Sequence, residues 1–168
     1  MKLVEIKDVR VGQIWDNGNN FLIITGFSEY EPEMVHSVTY VPENKPITLK
    51  NGKKVTGLMY SSTSKNSLEG SKLIGKLGIT HRIEDGKLVE IPRTAEFQID
   101  DVVKFKWCDP RLYVINREID FGIKESHPNN ACFEATNDLY GSRQLVDFEL
   151  KRVGILGVTH EFVNDREA

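Results

Sequence analysis

Residues 77–81 read LGITH and residues 156–160 read LGVTH. Aligned more widely, 74–81 and 153–160 share Gly, Leu, Gly, Thr and His, with two Ile/Val exchanges. A second match lies ahead of each, in the same order: IKDVRVGQIWDNGNNFLIITG from Ile6 and IDDVVKFKWCDPRLYVINR from Ile99. Each holds Ile-x-Asp-Val, then Trp15 or Trp107, a turn and an apolar run, once small gaps are allowed. Two matches in one order point to a tandem duplication. A chain of 168 residues has room for one ordinary domain or two small ones.

Each copy reads as β. The runs VGQIW and FLIITGF flank Asn17-Gly18, a pair that supplies positive φ angles to a hairpin turn. Asn51-Gly52 and Asp85-Gly86 sit between apolar arms in the same way, and Asp109-Pro110 takes the turn position in the second copy. Helix is confined to short segments near 67–72 and 142–150, each just ahead of the repeated Leu-Gly. The expectation is an all-β protein of two tandem units, 1–92 and 97–168, each a bent sheet of about five strands. The break falls in EIPRTAEF, where a proline and polar residues interrupt the apolar pattern. The first copy is longer, and the hairpin in PENKPITLKNGKKV accounts for the excess.

The order VGQIW, turn, FLIITGF, closed by a short helical turn and a last strand, resembles the small SH3-like β-barrels of phage accessory proteins and of translation and transcription factors. The resemblance implies a barrel fold for each half and a binding role, without indicating a particular partner.

Charge narrows the partners. Residues 1–92 carry 12 basic and 11 acidic side chains, +1; residues 93–168 carry 10 and 14, −4. A net charge of −3 runs against a general phosphate-backbone binder, which needs a basic face. No stretch reaches the ~20 apolar residues of a membrane span, and MKLVEIKDVR lacks the apolar centre of a signal peptide. With only Cys108 and Cys132, the expected compartment is the reduced cytoplasm.

Several motifs invite chemistry and lack its context. GSKLIGKL (70–77) satisfies Gly-x4-Gly-Lys, but Leu77 stands where a phosphate loop needs Ser or Thr. His81 and His160 suggest a paired metal site or pH switch, yet no carboxylate accompanies both motifs; a strand-ending, hydrogen-bonded ring is the simpler reading. Cys108, Asp109, His127 and Cys132 match no zinc spacing and no nucleophile-base pair, so neither metal nor cofactor is expected. Trp15 and Trp107 are read as core rather than as ligand platforms. Gly75, Gly78, Gly154 and Gly157 mark tight bends.

What differs between copies is the loops. Residues 28–36 offer Tyr30, Glu31 and Met34, and 122–142 offer Phe133 and Tyr140, side-chain types suited to gripping a protein. The expected function is therefore non-catalytic protein binding, in the phage-accessory form a modulator or inhibitor of a host machine. The alternatives are nucleic-acid binding through the basic tip Lys50, Lys53 and Lys54, and sequestration of a small ligand.

Overall fold

The computed structural model describes residues 1–107, 110–119, 131–137 and 141–164. Cys108, Asp109, His127 and Tyr140 thus lie outside the described residues. The chain divides into a unit of Lys7–Pro92 and a unit that joins Met1–Ile6 to the residues from Arg93 onward. Both are all-β: among the described residues there are sixteen strands, and the only helical pieces are 3-10 turns at Lys65–Leu68 and Asp147–Glu149.

In chain order, β1 (Lys2–Glu5) belongs to the second of these units. The 7–92 unit holds β2 (Gln13–Asp16), β3 (Phe21–Phe27), β4 (Met34–Val41), β5 (Ile47–Thr48), β6 (Lys54–Val55), β7 (Gly57–Ser64), β8 (Lys72–Lys76), β9 (His81–Glu84) and β10 (Lys87–Glu90). Five of them form an antiparallel sheet in the order β7-β4-β3-β2-β8, with β5-β6 and β9-β10 as separate hairpins. One face of that sheet packs Trp15, Leu22, Ile24, Val35 and Leu68 into a core. At β2 and β3 the opposite face is buried too, through Ile14 and Ile23. Short, wholly apolar runs such as LII belong in such central strands.

The other unit continues with β11 (Asp101–Phe105), β12 (Tyr113–Ile119), β13 (Cys132–Asn137), β14 (Gly141–Val146), β15 (Leu150–Ile155) and β16 (His160–Val163). Its five-stranded sheet runs β14-β13-β12-β11-β15, over a core of Phe97, Val103, Phe105, Tyr113, Ile115, Phe133, Ala135, Leu145 and Leu150. The strand β16 pairs with β1. The first strand therefore leaves the 7–92 residues with which its place in the chain had grouped it.

The two sheets match strand for strand, β2 to β11, β3 to β12, β4 to β13, β7 to β14 and β8 to β15. Each breaks register at the same two points, between Ile14/Trp15 and Ile24/Gly26 in one and between Val102/Val103 and Ile115/Arg117 in the other. Gly12 and Asp100 both take positive φ, 91° and 73°. Gly12 N donates to Ile24 O and Asp100 N to Ile115 O, at 2.7 and 2.9 Å.

This correspondence corrects the sequence alignment. Trp15 matches Val103, not Trp107; it is 7% exposed and in the core, whereas Trp107 lies beyond β11 and is 58% exposed. Residues 142–146 form strand rather than helix. The loop expected over 122–142 contains β13, an internal strand. Each five-stranded sheet has two edge strands, so neither closes on itself among the described residues.

Candidate functional site

Alternate residues of a strand share a face, and directly paired residues on neighbouring strands lie side by side. On the outer face of the 7–92 sheet, register therefore builds a row Ile14-Ile23-Val38-Tyr60 across β2, β3, β4 and β7. The adjoining row is Phe21-Tyr40-Leu58, with the first two rings stacked at 6.3 Å and 25°. Burial falls along the first row from Ile14 and Ile23, both sealed, to Tyr60, which is 95% exposed. Leu58 is exposed beside it, and among the described residues β7 is an edge strand, paired only with β4.

The matching row of the other unit is Val102-Val114-Thr136-Ser142, polar where the first is aromatic. The inner face of β4 and β7 carries hydroxyls instead: Ser37 Oγ lies 2.8 Å from Ser61 Oγ and 3.2 Å from Thr63 Oγ1, and Thr39 Oγ1 lies 3.1 Å from Ser61 Oγ. Along this margin the sheet turns apolar side chains out and bonded hydroxyls in. Exposed Tyr and Leu on a free strand edge present area for contact at small entropic cost.

The residues singled out from sequence separate. Met34 shares the outer face with His36, Val38 and Tyr40. Tyr30 and Glu31 sit exposed in the preceding loop, where Ser28 Oγ accepts from Tyr30 N (3.3 Å) and Glu31 N (3.1 Å). Phe133 is not available to a partner: it is 4% exposed and packs edge-on against Phe97 at 5.9 Å. Lys50, Lys53 and Lys54 are exposed on the β5-β6 hairpin, which Leu49 N closes on Lys53 O at 2.8 Å. The sequence reading missed Phe21, Tyr40, Leu58 and Tyr60. Their signal lay in three strands, β3, β4 and β7, whose register no local pattern reveals.

The two histidines are structural clasps. Thr80 Oγ1 and His81 Nδ1 are 2.7 Å apart, and Thr159 Oγ1 and His160 Nδ1 are 2.8 Å apart. The same hydroxyls accept from Lys76 N and Ile155 N, both at 2.8 Å. Glu90 Oε1 stands 3.9 Å from His81 Nε2. Burial lowers the pKa of both rings, against the opposing pull of Glu90 on His81 and of Glu5 on His160. Gly75 and Gly154 lie against these clasps, with no room for a side chain.

Among the described residues no group of three or more His, Cys, Asp or Glu could hold a metal ion. Cys132 is free and buried, and burial pushes its thiol pKa up, away from the reactive thiolate. The Gly-Lys of residues 75–76 lies in β8 rather than at a helix start. Among the described residues no helix is long and apolar enough to cross a membrane. A recess of about 190 Å³ is lined by Asp16, Asn20, Phe21, Pro42, Asn44 and Lys45, among others. Comparison with protein-family models, curated proteins and solved structures finds no match to this chain.

Proposed function

We propose that this chain is a non-catalytic binding protein of two duplicated SH3-like units, which holds a protein partner through the outer face and free edge of the 7–92 sheet. The observation that carries the reading is Tyr60, almost fully exposed at the end of an apolar row whose inner members are sealed. The matched strand orders and register breaks support the duplication. An extended segment of the partner adds beside β7, its backbone bonded to that strand and its side chains against Leu58 and Tyr60. Met34 extends the same face, and the −4 charge of residues 93–168 steers the encounter toward a basic surface. In the phage-accessory form of this reading, the partner belongs to a host transcription or defence complex that binding modulates or inhibits.

The test is capture from nuclease-treated host lysate by the wild-type chain and by a Leu58→Ser/Tyr60→Ser variant. The variant should fold as the wild type does and lose affinity about 30-fold or more, the scale of a binding hot spot. Equal capture of the same protein by both chains would refute the face.

The exposed Lys50, Lys53 and Lys54 favour nucleic acid as the second reading. Capture that disappears with nuclease and weakens steeply with salt would select it. For the small-ligand alternative, the recess beside Phe21 and Lys45, at about 190 Å³, is smaller than the ~300–1,000 Å³ usual for ligand pockets.

A further inference from the structure

Residues 2–6 and 87–91 are the same five amino acids, Lys-Leu-Val-Glu-Ile, 85 positions apart. The fold uses them identically. Glu5 stands opposite His160 as Glu90 stands opposite His81, and Leu3 opposite Phe162 as Leu88 opposite Ile83. Ile6 N donates to Thr159 O at 2.8 Å, and Ile91 N to Thr80 O at 2.9 Å. In both strands Lys and Glu are exposed, while Leu and Val are half-buried. The strand after each Thr-His clasp is thus an edge that accepts one sequence in one register.

The two joints differ in how the chain closes them. Strands β9 and β10 are linked by Asp85-Gly86 alone, both at positive φ (52° and 73°), as a two-residue hairpin turn requires. Glu5 and His160 are 155 positions apart, and the chain passes from Ile6 straight into the other unit. A two-residue tether holds its strand at very high effective concentration, and a distant one does not. At β16, a strand from another molecule competes on better terms than at β9.

We propose that the β16 edge is a strand-acceptor site and that its second occupant is β1 of another copy of this chain, giving a strand-exchanged dimer. The exchanged strand brings the same side chains in the same register, so no contact within the joint is lost and only association opposes the dimer. The inference is independent of the aromatic face on the 7–92 sheet.

Directly paired Leu3 and Phe162 provide the test. A Leu3→Cys/Phe162→Cys chain, oxidised when dilute, should close within itself. Separate Leu3→Cys and Phe162→Cys chains, one of them ¹⁵N-labelled, should form a 3–162 disulfide between molecules when mixed at high concentration. Its yield should exceed by about tenfold that of Leu3→Cys mixed with a control chain, Ile79→Cys, whose cysteine replaces an exposed residue of the other unit. Wild-type chain mixed with each variant reports what Cys108 and Cys132 contribute. Excess peptide MKLVEIKD or GKLVEIPR should suppress the intermolecular product, and a scrambled peptide should not.

No 3–162 product above the control would overturn the proposal, as would a double variant that fails to close within itself. A measurement without substitutions stands beside it. Sedimentation of the wild-type chain should show a dimer that grows with concentration and recedes with GKLVEIPR. A monomer at every concentration would equally overturn the inference.

Discussion

Replacing Gly75 by Ala tests the clasp that ends each five-stranded sheet. The φ of Gly75 is not positive, so its backbone would accept alanine and only space forbids it. A β-carbon there would overlap Thr80 Oγ1 and stand 2.7 Å from His81 Nδ1 and 3.0 Å from His81 Cε1. Thr80 Oγ1 cannot simply move aside, because it holds Lys76 N at 2.8 Å and His81 Nδ1 at 2.7 Å. Overpacking a tight site costs about 1–3 kcal/mol. Each displaced hydrogen bond adds about 0.5–1.5 kcal/mol. The expected loss is about 2–6 kcal/mol, read as a fall in the urea midpoint followed by the fluorescence of Trp15, which lies in the core of the same unit.

Two further variants isolate the cause. Gly26→Ala meets nothing nearer than His36 Cδ2 at 3.7 Å and should change stability by less than about 1 kcal/mol. Thr80→Ala removes the overlapping oxygen, so Gly75→Ala should cost less in that background, with a coupling of about 1 kcal/mol or more. A Gly75→Ala chain within about 0.5 kcal/mol of wild type would refute the steric argument. Gly154, whose β-carbon would overlap both Thr159 Oγ1 and His160 Nδ1, should respond in the same direction.

Stability should also depend on pH through the two clasps. Because burial lowers both histidine pKa values, the unfolded chain binds protons that the folded chain excludes. The contribution of these rings is therefore full above the ordinary imidazole value of 6.5 and is lost as pH falls below it. Urea midpoints across that range should show a slope that His81→Gln/His160→Gln reduces; an equal slope in both chains would contradict the assignment. Phe133→Ala should cost about 3–5 kcal/mol of stability as a core deletion. Tyr30→Ala should cost under about 0.5 kcal/mol, and the reverse ranking in the same unfolding assay would place Phe133 on the surface.

Local chemistry made much of the β architecture legible. Asp85-Gly86 reads as a two-residue hairpin because both positions need positive φ, and both have it. The hairpin expected in 42–55 lies between β4 and β7, where the other unit passes from β13 to β14 over three residues. Site residues were harder to read, since composition does not say which face of a strand meets solvent. Phe133, taken for a loop anchor, is held inside by β12 and β14 on either side of β13. Tyr60 reads as an unremarkable strand residue until register sets it beside Val38 at a free edge.

The sequence alone determined that the described residues are β, that Leu-Gly-x-Thr-His recurs, and where the turns at Asn17-Gly18, Asn51-Gly52 and Asp85-Gly86 fall. These depend on alternation, on turn residues and on glycines, all of which act within a few positions of themselves. Tertiary structure alone decided that Trp15 is buried while Trp107 is exposed, that one sheet carries an aromatic face, and that β1 completes the unit at the other end of the chain. Each of these rests on pairing between strands far apart in sequence. There the same five residues, Lys-Leu-Val-Glu-Ile, serve as a hairpin arm in one place and as a long-range closure in the other.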